Sequence, residues 1–185
     1  MRVIRETAES RRGFLAAAGA GAALLAVAPT QAAARPNTGA VMKSRVLSDT
    51  AGGKIYVLVL DTGDEVVTTL TAFVKENRIA AGFLTGIGGF GDYVLGYFDH
   101  AAKDHRRLPV TGQVEVLSLT GDVALKGNEP MVHLHAVVGL PDGSTRGGRL
   151  LEAHVWPTLE VVLTELPTYL RRRYDPETGL ALIRQ

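Results

Sequence analysis

From residue 45 onward the chain has one stretch with the periodicity of an amphipathic helix, which limits the folds open to it. Apolar residues recur on one helical face at Val66, Val67, Leu70, Phe73 and Val74. Before them, Thr62 to Glu65 fits a capping box, with Thr62 as N-cap, and the pattern ends near Asn77. One helix among strand-like segments predicts an α/β (α+β) domain whose helix packs on one face of a sheet.

The segments around this helix are typical of β-strands separated by glycine and proline. The predicted strands are Lys54–Leu60, Ala80–Ile87, Tyr93–Phe98, Val114–Leu119, Met131–Gly139, Arg149–Val155 and Glu160–Leu166. The turn sequence Pro141-Asp-Gly-Ser144 predicts a hairpin of the Met131 and Arg149 strands. The Asp99–Pro109 connection, with His100 and His105, is expected to be a loop. Short turns favour a mainly antiparallel sheet.

The composition of the chain excludes several kinds of functional site and argues against some partners. The chain has 185 residues and no cysteine, which suits one domain and excludes disulfides, cysteine zinc sites and thiol nucleophiles. The chain has 20 basic residues (Lys and Arg) and 19 acidic residues (Asp and Glu). Four of the basic and two of the acidic residues lie within residues 1–34, so residues 35–185 hold 16 basic and 17 acidic side chains. A domain so close to neutrality is a poor general binder of polyanions, and this charge balance argues against nucleic acid as a partner.

The first 34 residues resemble an export signal. Arg11 and Arg12 precede Phe14-Leu15, the run Ala16–Ala28 is uncharged, and Ala32–Ala34 offers a small-residue cleavage site. Paired arginines in this position are similar to a twin-arginine signal, which implies a periplasmic protein. A membrane anchor and a chance arginine pair are the alternatives, but the run is shorter than the ~20 apolar residues of a membrane span. We therefore expect a signal over 1–34, a linker over 35–44 and one domain over 45–185.

His133-Leu-His135 is the sharpest local motif. Residues i and i+2 of a strand point to the same face, so the two imidazoles should lie side by side. They could hold a transition metal with further ligands, or be hydrogen-bonded core or interface histidines. His154 lies on the predicted partner strand.

No motif identifies an enzyme. The glycines of Gly86–Gly91 lack the Lys-Ser/Thr ending of a P-loop, and Ser118 has no nucleophile elbow around it. Glu115 and Glu152 lie among apolar strand residues and are expected to form salt bridges across strands or subunits, with a paired carboxylate site as the alternative. The run Arg171–Arg173 is expected to be a solvated surface or an interface contact, with a nucleic-acid patch as the alternative.

Six segments in order resemble the plants and prokaryotes conserved (PPC, DUF296) domain, from about Val41 to Ile183. They are Gly82–Phe90, Gly112–Gly121, Pro130–Ala136, Asp142-Gly143 with Gly147–Ala153, Pro157–Val161 and Asp175–Gly179. The resemblance implies a twisted sheet with one main helix, assembled as a homotrimer. It also implies that Gly112, Glu115 and Leu117 belong to the self-association region.

The resemblance further implies a metal site, usually zinc, formed by the His-x-His pair and a histidine after Gly-Gly. Here His133 and His135 match, whereas the third position is Arg149. Arginine stays protonated and cannot ligate a metal, but beside two histidines it suits a carboxylate or phosphate. We expect a small-anion pocket around His133, His135, Arg149 and Glu152, with a zinc site as the alternative hypothesis.

Three function classes stay open. The first is an exported, trimeric binding protein for a small polar ligand. The second is a metal-dependent enzyme of unknown reaction, or one that uses the histidines as acid and base. The third is a DNA-binding protein, although the chain lacks the Arg-Gly-Arg-Pro hook through which family members with AT-hooks mainly contact DNA.

Overall fold

The computed structural model describes residues 42–184, and the expected signal over 1–34, with Arg11 and Arg12, lies outside them. The described part is one mixed sheet with a single helix. Its elements are β1 (Lys43–Thr50), β2 (Gly53–Asp61), α1 (Val66–Glu76), β3 (Ala81–Asp99), β4 (Asp104–Lys126), β5 (Glu129–Gly139), β6 (Thr145–Glu165), β7 (Arg171–Tyr174) and β8 (Ala181–Ile183). The predicted α+β class is therefore confirmed. No helix among these residues is long and apolar enough to span a membrane.

The sheet is antiparallel except where β7 runs parallel to β4. Its order is β1-β2-β6-β3-β4-β7-β8, and β5 pairs with both β4 and β6. Strands β3, β4, β5 and β6 therefore form a closed circuit of pairings. The predicted hairpin of β5 and β6 is present, and in its turn the Asp142 carboxylate accepts hydrogen bonds from the Ser144 amide and hydroxyl.

The helix packs against β5 and β6 through its apolar face. Val66, Leu70 and Val74 are fully buried, together with Leu58 of β2 and Leu163 of β6. This face is the one that the sequence periodicity predicted. Packing of this stripe on the sheet forms the core of the domain.

The cap of α1 differs from the prediction. The helix starts at Val66, and Glu65, not Thr62, is its N-cap, since the Glu65 carboxylate accepts hydrogen bonds from the amides of Val67 and Thr68. The Thr62 hydroxyl instead donates to the Pro157 carbonyl at 2.8 Å. Residues 61–64 form a turn instead, in which the Asp64 carboxylate accepts a hydrogen bond from the Asp61 amide, so the helix starts after this turn.

Several predicted breaks lie inside long strands. β3 runs unbroken through Gly86–Gly91, and β6 runs through Pro157, which has a cis peptide bond with Trp156. The ladder between them shifts register here, so Pro157 occupies an irregular stretch where its missing N–H is not needed. A Cβ on Gly89 would lie 2.3 Å from the Trp156 carbonyl oxygen, so glycine permits this close crossing and forms no phosphate loop.

Candidate anion-binding pocket

A cavity of about 640 Å³ lies between the sheet and the C-terminal segment. β3, β4, β5 and β6 supply one side of it, and β7 with residues 179–182 supplies the other. Its lining residues are Phe98, Lys103, Asp104, His105, Arg107, Lys126, Met131, His133, His135, Arg149, Leu151, Arg172, Gly179, Leu180, Ala181 and Leu182. The lining includes three of the four ligand-binding residues expected from the sequence, namely His133, His135 and Arg149.

Strand register brings His133, His135 and Arg149 together. The two histidines alternate with buried Leu134 and Ala136, so both imidazoles lie on the face away from the core. Their ring centroids are 5.1 Å apart in an edge-to-face arrangement. Arg149 is the partner of His135 in the antiparallel β5–β6 ladder, which puts both side chains on the same face.

Arg172 is the residue that sequence reasoning missed. It is 9% exposed, it forms a salt bridge with Asp122, and its Nη1 donates to the Ala181 carbonyl at 3.1 Å. Its Nε is buried without a hydrogen-bond partner among the described residues. The expectation that Arg171–Arg173 is a solvated run was therefore wrong at its middle residue, because alternation along β7 turns Arg172 inward while its neighbours stay exposed.

His133 is in contact with this ion pair. Its Nδ1 lies 3.3 Å from Arg172 Nη2 and 3.7 Å from Asp122 Oδ2. Burial alone would raise the pKa of the Asp122 carboxyl, but its hydrogen bonds with His133 and Arg172 outweigh burial and hold the pKa below its ordinary value. Asp122 thus stays ionised and neutralises Arg172.

His105 was expected in a loop but lies on β4, opposite Phe98 of β3. The Phe98 and His105 rings are 5.3 Å apart between centroids, and both line the cavity. Burial, followed by the charge of Arg149, lowers the pKa of His105. His100, in contrast, does not line the cavity. The loop expectation failed at His105 because the β3–β4 hairpin extends to residues 99 and 104.

The pocket carries an excess of positive charge. Five permanent cations line it, namely Lys103, Arg107, Lys126, Arg149 and Arg172, against one carboxylate, Asp104. Arg107 is paired with Glu152 at 2.6 Å, and the Lys103 ammonium donates to the Pro176 carbonyl. Arg149 is half-buried and has no hydrogen-bond acceptor or salt-bridge partner within residues 42–184. Burial and then the charge of Arg172 lower the pKa of its guanidinium.

Two residues considered for the site lie elsewhere. Glu152 is half-exposed and contacts Arg107, but it is not part of the cavity lining. His154 pairs with Asp92 through its Nδ1 at 2.8 Å, on a different part of the surface. Neither side chain reaches the His133–His135 pair, so neither completes a ligand set with it.

The side chains present do not fit the metal that the resemblance implies. Among residues 42–184 no three His, Cys, Asp or Glu side chains converge so that they could hold a metal ion. The third family position is occupied by Arg149, which has no lone pair to donate. The geometry therefore provides two imidazoles and a cation where a zinc site needs three or four donors.

The residues expected for self-association lie on β4, between five and ten positions before Asp122. Gly112 and Glu115 are exposed, and Leu117 is 53% exposed. Other large apolar side chains are exposed on neighbouring strands, at Phe83, Ile87, Val137 and Val162. These alternate with buried core residues, so they face away from the helix.

The sequence matches a known protein family, and the fold is similar to several solved structures. The sequence model of the Plants and Prokaryotes Conserved (PCC) domain matches residues 47–167. A search of curated proteins finds no significant match. The matched range ends before Arg172, Leu180 and Leu182, so part of the cavity wall lies outside it.

Three solved structures are similar over most of the described residues. A candidate DNA-binding protein from Bacteroides thetaiotaomicron is 28% identical with TM-score 0.72, over 78% of this chain and 97% of that one. A plant- and prokaryote-conserved protein from Pyrococcus horikoshii is 31% identical with TM-score 0.68, over 77% and 95%. A metal-containing protein from Archaeoglobus fulgidus is 33% identical with TM-score 0.68, over 72% and 95%.

Proposed function

Because the chain belongs to the Plants and Prokaryotes Conserved domain family, we propose that it is an exported, homotrimeric member that binds a small anion. The binding site is the pocket around His133, His135 and Arg149. The observation that carries this proposal is Arg149, a half-buried guanidinium with no counter-ion among residues 42–184. A charge withdrawn from water without a partner is costly, and a bound anion would supply that partner.

The surroundings of Arg149 support an anion over a cation. Arg172 and Asp122 neutralise each other, and Arg107 is paired with Glu152. Lys103 and Lys126 are exposed, so Arg149 is the half-buried cation of the lining that has no ion-pair partner among residues 42–184. A guanidinium offers a planar fork of donors that matches a carboxylate or a phosphate. His133 and His135 add N–H donors on the same face of β5.

The trimer is supported by the exposed apolar face of the sheet. Phe83, Ile87, Leu117, Val137 and Val162 are each at least 39% exposed on adjoining strands. Contiguous apolar surface of this kind marks an interaction site in a soluble protein. Self-association through this face, with Gly112, Glu115 and Leu117 at one part of it, would cover these side chains.

Export rests on the N-terminal sequence pattern alone. The paired Arg11 and Arg12, the uncharged run and the small-residue site are the features that support it. A periplasmic location also argues against DNA as the partner, and the near-neutral charge of residues 35–185 points the same way. Fractionation of cells that express the full chain, with an Arg11→Lys, Arg12→Lys variant as control, tests export directly.

Titration calorimetry with acetate and with inorganic phosphate tests the binding proposal. The full chain should bind at least one of them, Arg149→Ala should abolish the binding, and Arg149→Lys should keep part of it. Arg146→Ala is the matched control, since Arg146 lies on β6 but outside the pocket lining. Equal affinity in the wild type and Arg149→Ala would overturn the proposal.

Elemental analysis of the natively produced protein decides the metal alternative. One transition metal per chain would favour the metal-dependent enzyme, since His133 and His135 would then have recruited another ligand. Protein without metal that binds an anion through Arg149 supports the proposal. The metal-containing relative from Archaeoglobus fulgidus makes this measurement necessary.

A further inference from the structure

We infer that the pocket takes an organic acid, a single carboxylate on an apolar and preferably aromatic body, rather than an inorganic oxyanion. This inference rests on the proposed anion site and specifies its ligand class. Three observations support it: the size of the cavity, the division of its lining into polar and apolar parts, and the number of fixed charges left unpaired inside it.

The cavity is too large for an inorganic anion alone. At about 640 Å³ it lies within the range of roughly 300–1,000 Å³ that is typical of pockets for small organic molecules. A water molecule takes about 30 Å³ of liquid volume, and a sulfate or phosphate has only five heavy atoms. Most of the cavity would therefore stay filled with water around such an ion.

The remaining space is bordered by apolar side chains. Phe98, Met131, Leu151, Leu180 and Leu182 line the cavity. All five are partly exposed, so they have apolar surface that a ligand could cover. Burial of such surface is favourable, and an inorganic ion cannot provide it.

One wall is aromatic. The Phe98 ring packs against His105 with centroids 5.3 Å apart and planes inclined at 60°. Gly96 lies behind this wall, since a Cβ there would be 3.1 Å from His105 Cδ2 and from Leu151 Cδ1. Glycine at this position lets the His105 ring and Leu151 pack closely. A planar ligand body could lie against Phe98 and His105 in an offset or edge-on arrangement.

The fixed charges match a single carboxylate. Asp122 neutralises Arg172, which leaves Arg149 as the half-buried cation without a partner among residues 42–184. One carboxylate on the Arg149 fork balances this charge, and the lining offers no second unpaired cation that is half-buried among residues 42–184 to neutralise a dianion. Lys103, Asp104 and Lys126 are exposed and stay solvated.

Calorimetry with four probes separates this inference from the proposed function. The probes are benzoate, acetate, inorganic phosphate and benzyl alcohol, each titrated into the full chain. We expect benzoate to bind about tenfold more tightly than acetate or phosphate, because its ring covers apolar wall, and benzyl alcohol not to bind detectably. Arg149→Ala should abolish benzoate binding.

Two wall variants test the apolar part. Phe98→Ala and, independently, Leu182→Ala should each weaken benzoate binding about three- to tenfold and leave acetate binding unchanged. Tighter or equal binding of acetate or phosphate relative to benzoate overturns the organic-acid inference and leaves the anion site standing. If none of the three anions binds, the proposed function fails together with the inference.

Discussion

Arg149 lies directly opposite His135 in the antiparallel ladder between β5 and β6, on the face away from the helix. The pairing sets a permanent cation at the position where the family resemblance places a third histidine. A single residue type therefore changes what the two imidazoles can bind, because arginine donates hydrogen bonds where histidine could donate a lone pair. The strand register that places position 149 beside His135 is nevertheless present.

Arg149→His is expected to create zinc binding. The new imidazole would lie on the same face as those of His133 and His135, and three imidazoles form a zinc site with an open fourth position. Calorimetry with zinc should show one site per chain in the variant. Arg146→His, on the same strand but outside the cavity, is the control and should gain no site. Stoichiometric zinc in the wild type would contradict the expectation.

His105 is expected to titrate below the ordinary histidine pKa of about 6.5, because burial and the charge of Arg149 disfavour its protonated form. Arg149→Ala should raise its pKa, and a bound anion should raise it too. Its lowered pKa means that the unfolded chain takes up this proton more readily, so stability falls as pH drops from about 6.5 through the folded-state pKa. NMR titration of the His105 imidazole in the wild type and in Arg149→Ala measures this change in pKa, and Arg146→Ala is the control. An unchanged His105 pKa in Arg149→Ala would contradict the expected effect of the Arg149 charge.

Arg172→Ala is expected to destabilise the protein by about 2–4 kcal/mol, because it removes a buried guanidinium and leaves the half-buried Asp122 without its partner. Arg173→Ala is the matched control on the exposed side of β7 and should change stability by less than about 0.5 kcal/mol. Urea unfolding of both variants measures the difference. Equal stabilities would show that the ion pair with Asp122 has no structural role.

Leu117→Glu is expected to weaken self-association. The side chain is 53% exposed on the apolar face, and a carboxylate there would have to be desolvated in an interface. Light scattering on a sizing column should give a trimer for the wild type and a smaller species for the variant. Leu108→Glu introduces the same charge on β4 away from this face and should keep the wild-type mass. Identical masses for all three proteins would argue against an interface at Leu117.

Glu65→Ala is expected to cost about 1–2 kcal/mol of stability, since Glu65 caps α1 and also accepts a hydrogen bond from the Ala153 amide of β6. Thr62→Ala should cost less, because its exposed hydroxyl makes a single bond to the Pro157 carbonyl. Thermal unfolding of the two variants ranks them. A larger loss of stability in Thr62→Ala than in Glu65→Ala would instead support Thr62 as the N-cap, as the sequence pattern predicts.

Local periodicity accounts for much of the fold that could be predicted. The stripe from Val66 to Val74 predicted α1, and the turn at Pro141–Ser144 predicted the hairpin that brings Arg149 to His135. Gly86–Gly91 and Pro157 were misread as breaks, because residue type alone does not distinguish a bulge within a strand from a turn between two strands.

The missed part of the site depends on contacts between distant residues. Arg172 and Asp122 are 50 positions apart, and nothing around Arg172 distinguishes it from Arg171 or Arg173 until the side of β7 that faces the sheet is known. His105 was missed for a related reason, since its place in the cavity depends on how far the β3–β4 hairpin extends. The residue pattern within one segment shows neither which side of β7 faces the sheet nor how far the β3–β4 hairpin extends.

The cavity wall formed by Arg172, Leu180 and Leu182 comes from residues that follow the end of β6. Strands β1 to β6 are complete by residue 165, so the sheet can be synthesised before the pocket exists. A protein clipped after residue 167 would keep those six strands yet lose one side of its cavity, and binding would distinguish intact from nicked protein.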